Sequence, residues 1–228
     1  MNNFKCFLFF TILFASSAFA EKYQFYYENE LILVEIPEGF CDASENEFGK
    51  FMVDFIDSQR KNGVDGPELQ LVFDNCLDDL TNIYPWGYIG TVDIGQNNYT
   101  IEEMQNLFNL TMKEQLGETN YVKKLSRDLE NAHKNTLKDY GVEAEVNLIQ
   151  DTGVIWYDED VVIIKGINTS VSNGEKLEEI VIGSSTLIKN HLAINFYITD
   201  LLDNGNLILN YSSKLEKASK KTKKLNKK

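Results

Sequence analysis

Little in this chain suits metal, cofactor or linker chemistry. Its 228 residues include only two histidines, three cysteines and three prolines. The histidines, His133 and His191, stand far apart and no CxxC pair accompanies them, so the ligand spacing of a zinc site is missing. There is no Gly-rich phosphate loop and no Asp-x-Asp-x-Asp-Gly calcium loop. No carboxylate pair stands at a spacing that argues for acid–base work. The expectation is a protein without metal or cofactor. Three prolines cannot build a Pro-rich linker, and neither an internal repeat nor a composition shift divides the chain. Beyond residue 20 no apolar run approaches the roughly 20 residues that a membrane-crossing helix needs.

What the sequence does have begins at its first residue. "MNNFKCFLFFTILFASSAFAE" places Lys5 before an apolar run from Phe7 to Phe14, then small residues ending Ala18-Phe19-Ala20. That order is a secretory signal peptide over 1–20, cleaved after Ala20, and it implies a periplasmic or secreted product. Cys6 precedes the apolar run, so it is not the lipid-modified cysteine that follows one. Two cysteines then remain, Cys41 and Cys76. In an exported domain such a pair is expected to form a disulfide. It would close a loop of about 36 residues, worth roughly 3–4 kcal/mol in the chain-entropy picture.

Charge is unevenly spread. Residues 21–212 hold 34 acidic and 13 basic side chains, a net of −21, whereas 213–228 hold eight lysines and one glutamate, a net of +7. An acidic body repels nucleic acid and anionic head groups, so nucleic acid is not an expected partner. The basic end is the one part suited to anionic surfaces. Lys220, Lys221, Lys223, Lys224, Lys227 and Lys228 are the candidate contacts, at about 1 kcal/mol per lysine near anionic lipid. The same lysines could hold an acidic patch on this protein or a neighbour, or simply form a disordered solubilising end.

Periodicity gives the fold class. "YQFYYENELILVEIPEGFC" reads as a strand running into a Pro-Glu-Gly turn. Ser44 and Glu47 read as a capping box opening a helix with Phe48, Phe51, Met52, Phe55 and Ile56 on one stripe. "ELQLVFDNC" and "PWGYIGTVDIG" are strands, the latter with Trp86, Tyr88, Val92 and Ile94 on one face. Thr100 and Glu103 form a second capping box, and a longer helix is expected from about 121 to 140. From Val142 the period becomes two. Turns are expected at Asp151-Thr152-Gly153, Ser172-Asn173-Gly174 and Lys189-Asn190. After Asp203-Asn204-Gly205, the residues Leu207, Ile208, Tyr211 and Leu215 form a helical stripe that should dock on the sheet. The expectation is a single α+β domain over 21–213: an antiparallel sheet, amphipathic helices packed on it, and a C-terminal helix. Residues 214–228 are expected to be a frayed helix end or disordered.

"IPEGFC", the later "DNC" and the closing "HLAINFYITD" resemble a family of uncharacterised secreted bacterial proteins, frequent in alphaproteobacteria. Its members share a Pro-x-Gly-Phe/Tyr-Cys turn, a second cysteine about 35 residues on, and a late strand leading into a final helix. They often carry an aromatic-Pro-Tyr sequence after the last strand, which "YITDLLDNG" replaces here. More distantly, the layout is similar to the extrinsic photosystem II subunit superfamily, whose members mostly bind partners. The family supplies no activity to transfer.

Candidate chemistry is thin. His191 with Ser184 or Ser185 and Asp200 has the residue types of a nucleophilic site but lacks the Gly-x-Ser-x-Gly elbow. His133 reads as a half-buried surface residue, and Asp158-Glu159-Asp160 as a solvated hairpin tip. Asn98, Asn109, Asn168 and Asn210 open Asn-x-Ser/Thr sequons that a bacterium would leave unmodified. The expected function is a non-catalytic binding or interaction module of the cell envelope, its partner a protein or small ligand. The alternatives are an envelope hydrolase and an assembly factor held at an anionic surface by its basic tail.

Overall fold

The computed structural model describes residues 22–61, 67–76, 84–95, 99–106, 131, 134–136, 138, 144–172, 175–189, 191–202 and 206–227. The leader, Asn98, Asn109, His133, Lys228 and most of the helix expected at 121–140 lie outside these residues. In chain order the elements are β1 (Lys22–Tyr27), β2 (Glu30–Glu35), β3 (Cys41–Asp42), α1 (Glu47–Lys61), β4 (Glu68–Asp74) and β5 (Trp86–Asp93). They continue with β6 (Ala144–Tyr157), β7 (Val162–Ser172), β8 (Glu175–Ile188), β9 (Leu192–Leu201) and a C-terminal helix, α2 (Asn206–Leu225). Residues 101–106 are a short helical stretch between β5 and β6.

Seven strands in the order β3-β4-β5-β9-β8-β7-β6 make one antiparallel sheet, and β1 pairs with β2 as a separate hairpin. This is the α+β class that the change of period implied. Alternation along the central strands fixes what each face carries. On one face Ile180 and Ile182 of β8, with Ile194, Phe196 and Ile198 of β9, pack against Tyr211, Leu215 and Ala218 of α2 and against Phe25, Ile32 and Val34 of the hairpin. On the other face Val72 meets Phe48 and Met52 of α1, and Leu187, Ala193 and Val162 meet Ile101 and Met104. The sheet is therefore the middle layer.

Cys41 and Cys76 form a disulfide, with Cα atoms 5.1 Å apart. It ties the two-residue edge strand β3 to the end of β4, where Cys41 pairs with Asp74. The first turn of α1 differs from the expected Ser44–Glu47 box. Asn46 is the cap: its Oδ1 accepts the Gly49 N–H at 2.7 Å while its Nδ2 donates to Asp74 at 2.9 Å. Ser44 is drawn instead into a turn in which its N–H donates to Asp42. A Cβ on Gly49 would lie 1.8 Å from the Ala43 carbonyl oxygen, so the helix can approach this close only with glycine there. The Thr100–Glu103 box forms as expected, with reciprocal bonds of 3.1 and 2.8 Å.

Two expectations are overturned. Asp151-Thr152-Gly153 is not a turn; β6 runs through it as one strand whose register against β7 slips at three places. Bulges absorb the residues that would otherwise have to turn back. The chain reverses at Asp158-Glu159-Asp160, the hairpin tip that was expected there. The C-terminal lysines are not a frayed end either. Helix α2 continues to Leu225, with Leu215, Ser219 and Thr222 fully buried. Small hydroxyl and apolar residues recur among the lysines at helical spacing, and that stripe carries the helix into the core.

Candidate functional site

The end of α2 is where the basic and acidic parts of the chain meet. Lys220 Nζ lies 2.6 Å from Asp158 and 2.8 Å from Glu216, and stands 5.2 Å from the centre of the Trp156 ring. One turn further along, Lys223 Nζ lies 2.7 Å from Asp160 and donates to the Glu159 carbonyl. The acidic trio is a shaped turn. Asp158 Oδ1 accepts the N–H groups of Asp160 and Val161, and Thr186 donates to the Asp160 carbonyl. Burial works against the charged form of Asp158, but the bonds from Lys220 and from the two N–H groups outweigh it. Its carboxyl titrates below the ordinary range. The same bonds from Asp158 and Glu216 hold the Lys220 ammonium above the ordinary lysine range.

On its opposite flank α2 seals an open strand edge. Lys221 Nζ lies 2.7 Å from the buried Glu35, whose N–H donates to Thr222 Oγ1. Asn226 accepts the Leu33 N–H and donates to the Leu33 carbonyl, at 3.1 and 2.7 Å. One amide thus replaces a missing neighbouring strand.

Of the six lysines expected at an anionic surface, Lys220, Lys221 and Lys223 are engaged with this protein's own carboxylates. Lys224 and Lys227 are exposed and, with Lys217, carry no ion pair among the described residues. Beside them the edge strand β6 leaves Ile155, Trp156 and Tyr157 exposed at 38%, 38% and 50%. Trp156 sits opposite Ile163 and so lies on the α2 side of the sheet, while Tyr157, opposite Val162, lies on the other. There Tyr157, Glu159 and Lys223 help line an open cleft of about 630 Å³ with Tyr99, Glu102 and Leu187. The sequence reading missed Trp156 and Glu35. A tryptophan two residues before an acidic turn was the available signal for the first, but the lysines that meet it are more than 60 residues away.

The nucleophilic arrangement does not assemble. His191 and Asp200 flank β9 at opposite ends, nine residues or about 30 Å apart along the strand. Ser184 and Ser185 point to opposite faces. Ser184 shares a 2.8 Å bond with Ser219, and Ser185 donates to Asn195 at 2.5 Å. Asp200 accepts from Tyr211, and His191 contacts the Lys189 carbonyl and the Tyr27 ring. Tyr84 donates to Glu179, and burial raises the pKa of both groups. Asn168 is half-buried on β7, and Asn210 is exposed on α2. No group of three or more metal-ligating side chains exists among the described residues.

The chain is similar in structure to Mog1p, a Ran-binding protein of Saccharomyces cerevisiae, at 10% identity and a TM-score of 0.34 over 90% of each chain. It is also similar to a Mog1 mutant at 11% identity and a TM-score of 0.35, over 89% of this chain and 94% of that one. At these scores neither likeness bears on what this chain binds. No family model and no curated protein matches it.

Proposed function

We propose that the protein is an exported, non-catalytic binding module of the cell envelope. The observation that carries this reading is where its reactive side chains are spent. Ser184, Ser185 and Asp200 are committed to bonds inside the scaffold, while two neighbouring exposed aromatic residues, Trp156 and Tyr157, stand at the edge of β6 beside the cleft. Buried, mutually satisfied polar groups lock a core, whereas exposed aromatics beside a cleft are what a partner can grip. The leader, the disulfide and the "IPEGFC" turn support the envelope as the setting.

The test places a photo-cross-linking residue at Tyr157, and separately at Phe51 on α1, in leaderless, oxidised protein mixed with envelope extract. A discrete adduct from position 157 that is missing from position 51 is the expected result. A hydrolase would instead show ester or peptide turnover that Ser185→Ala abolishes, and that outcome would replace the binding reading.

A further inference from the structure

We infer that the outward face of α2, together with Trp156, is a docking surface for an anionic lipid bilayer. This deepens the binding reading above and rests on it. Helical spacing puts Leu209, Ser213, Lys217, Lys220 and Lys224 within one side of α2, opposite the stripe of Tyr211, Leu215, Ala218 and Thr222 that enters the core, and the exposed Lys227 follows just past the helix end. Leu209 is 76% exposed. From Lys217 to Lys224 the stripe runs about 10 Å along the helix axis.

The lysines of this helix divide into two sets. Lys220, Lys221 and Lys223 pair with Asp158, Glu35 and Asp160 beside the helix, Lys220 also with Glu216 on it. Lys217, Lys224 and Lys227 point away with no counter-charge among the described residues. The fold therefore offsets most of the acidic charge next to the stripe, three ammonium groups against four carboxylates, and leaves three further ammonium groups facing outward on a body of net −21. Only an anionic surface complements that face, because any neutral or cationic one gains nothing from it.

Trp156 favours a bilayer over an acidic protein as that surface. It lies on the same side of the sheet as α2, under Lys220, and is partly exposed. An indole beside lysines is the combination that settles at the head-group level, ring toward the acyl chains and ammonium toward phosphate. Contact of this kind needs no transmembrane segment, and no helix among the described residues is long and apolar enough to be one.

The experiment uses the leaderless, oxidised full chain with phosphatidylcholine vesicles containing 30% phosphatidylglycerol, and with pure phosphatidylcholine vesicles. Co-sedimentation with the anionic vesicles only is expected, with loss in 0.5 M salt. Each lysine is worth about fivefold in partitioning, so the triple variant Lys217→Gln/Lys224→Gln/Lys227→Gln should bind about a hundredfold more weakly. The chain has two tryptophans, and Trp156→Phe should remove a blue shift of emission that accompanies binding. Equal binding to both vesicle types, binding that survives the triple variant, or no binding at all would overturn the inference. A Tyr157 cross-link to a protein in the same preparation would then leave the binding reading standing with a protein as the occupant.

Discussion

Glu179 shows how a single side chain can work against the fold that holds it. It lies half-buried on β8 and accepts a hydrogen bond from Tyr84. Burial raises its pKa above the ordinary glutamate value, more than the tyrosine bond lowers it. A carboxyl whose folded pKa is raised favours its protonated form in the fold. Its contribution to stability is greatest below the unfolded pKa, about 4.3, and is lost as pH rises through the raised folded value. Glu179→Gln keeps an acceptor for Tyr84 and removes the charge. The variant should be more stable than the parent at neutral pH and match it below about pH 4, measured by urea denaturation across that range. A parent that stays the more stable of the two at neutral pH would show that the charge itself is needed. Asp158 behaves oppositely: its lowered pKa gives stability that is present at neutral pH and lost as pH falls through the folded value.

At the level of elements, the sequence disclosed periodicity well and disclosed reversal of the chain poorly. The α1 stripe, the Thr100 cap, β4, β5 and β7 to β9 all follow from spacing that one stretch of chain carries by itself. The hairpin of β1 and β2 was read as one strand because its turn, Glu28-Asn29, holds no glycine. Both residues nevertheless have positive φ, 47° and 65°. At Asp151-Thr152-Gly153 turn-forming residues sit inside a bulged strand, since pairing with β7 along its length outweighs local preference. The site was less legible still. Lys220 and Asp158, or Thr222 and Glu35, are far apart in the sequence and meet only in the tertiary fold. Asn226 is the residue to test on this scale. Asn226→Ala leaves the Leu33 N–H and carbonyl without their partner and should cost about 1–3 kcal/mol, whereas Lys224→Ala should stay within about 0.5 kcal/mol. Equal effects of the two in thermal unfolding would mean that the amide does not seal the β2 edge. The disulfide is tested likewise. Cys41→Ser, or reduction of the parent, should lower stability by about 3 kcal/mol, the entropy of the loop between Cys41 and Cys76. Reductant that leaves the melting temperature unchanged would count against that contribution.

For the whole molecule, the decisive fact is that the basic end belongs to the core. Leu215, Ser219 and Thr222 are fully buried between the hairpin and the sheet, and Ser219 bonds to Ser184 of β8. Burying Leu215 alone is worth about 2 kcal/mol. The apolar faces of β8 and of the hairpin would meet water without the helix. A chain ending at Ser213 should therefore lose its cooperative thermal transition, and its hairpin should become open to protease. A melting temperature equal to that of the full chain would restore the picture of a free lysine-rich tail. The uneven charge seen in the sequence has a structural use: a −21 body repels itself, and lysines at its end bring opposite charge to Asp158, Asp160 and Glu35 within the same chain.

The pairing of Leu33 with Asn226 joins residues 193 positions apart. The hairpin made first during synthesis thus waits for nearly the last residue before its edge is closed. A chain stopped before the last turns of α2 leaves the Leu33 edge and the buried faces of the hairpin and β8 unsealed, and it becomes fully protease-resistant only once those turns are in place. Purified chains truncated at increasing length would reveal that threshold as a rise in protease resistance when the final turns of α2 are added, and full resistance in a chain a hundred residues shorter would show that folding does not wait.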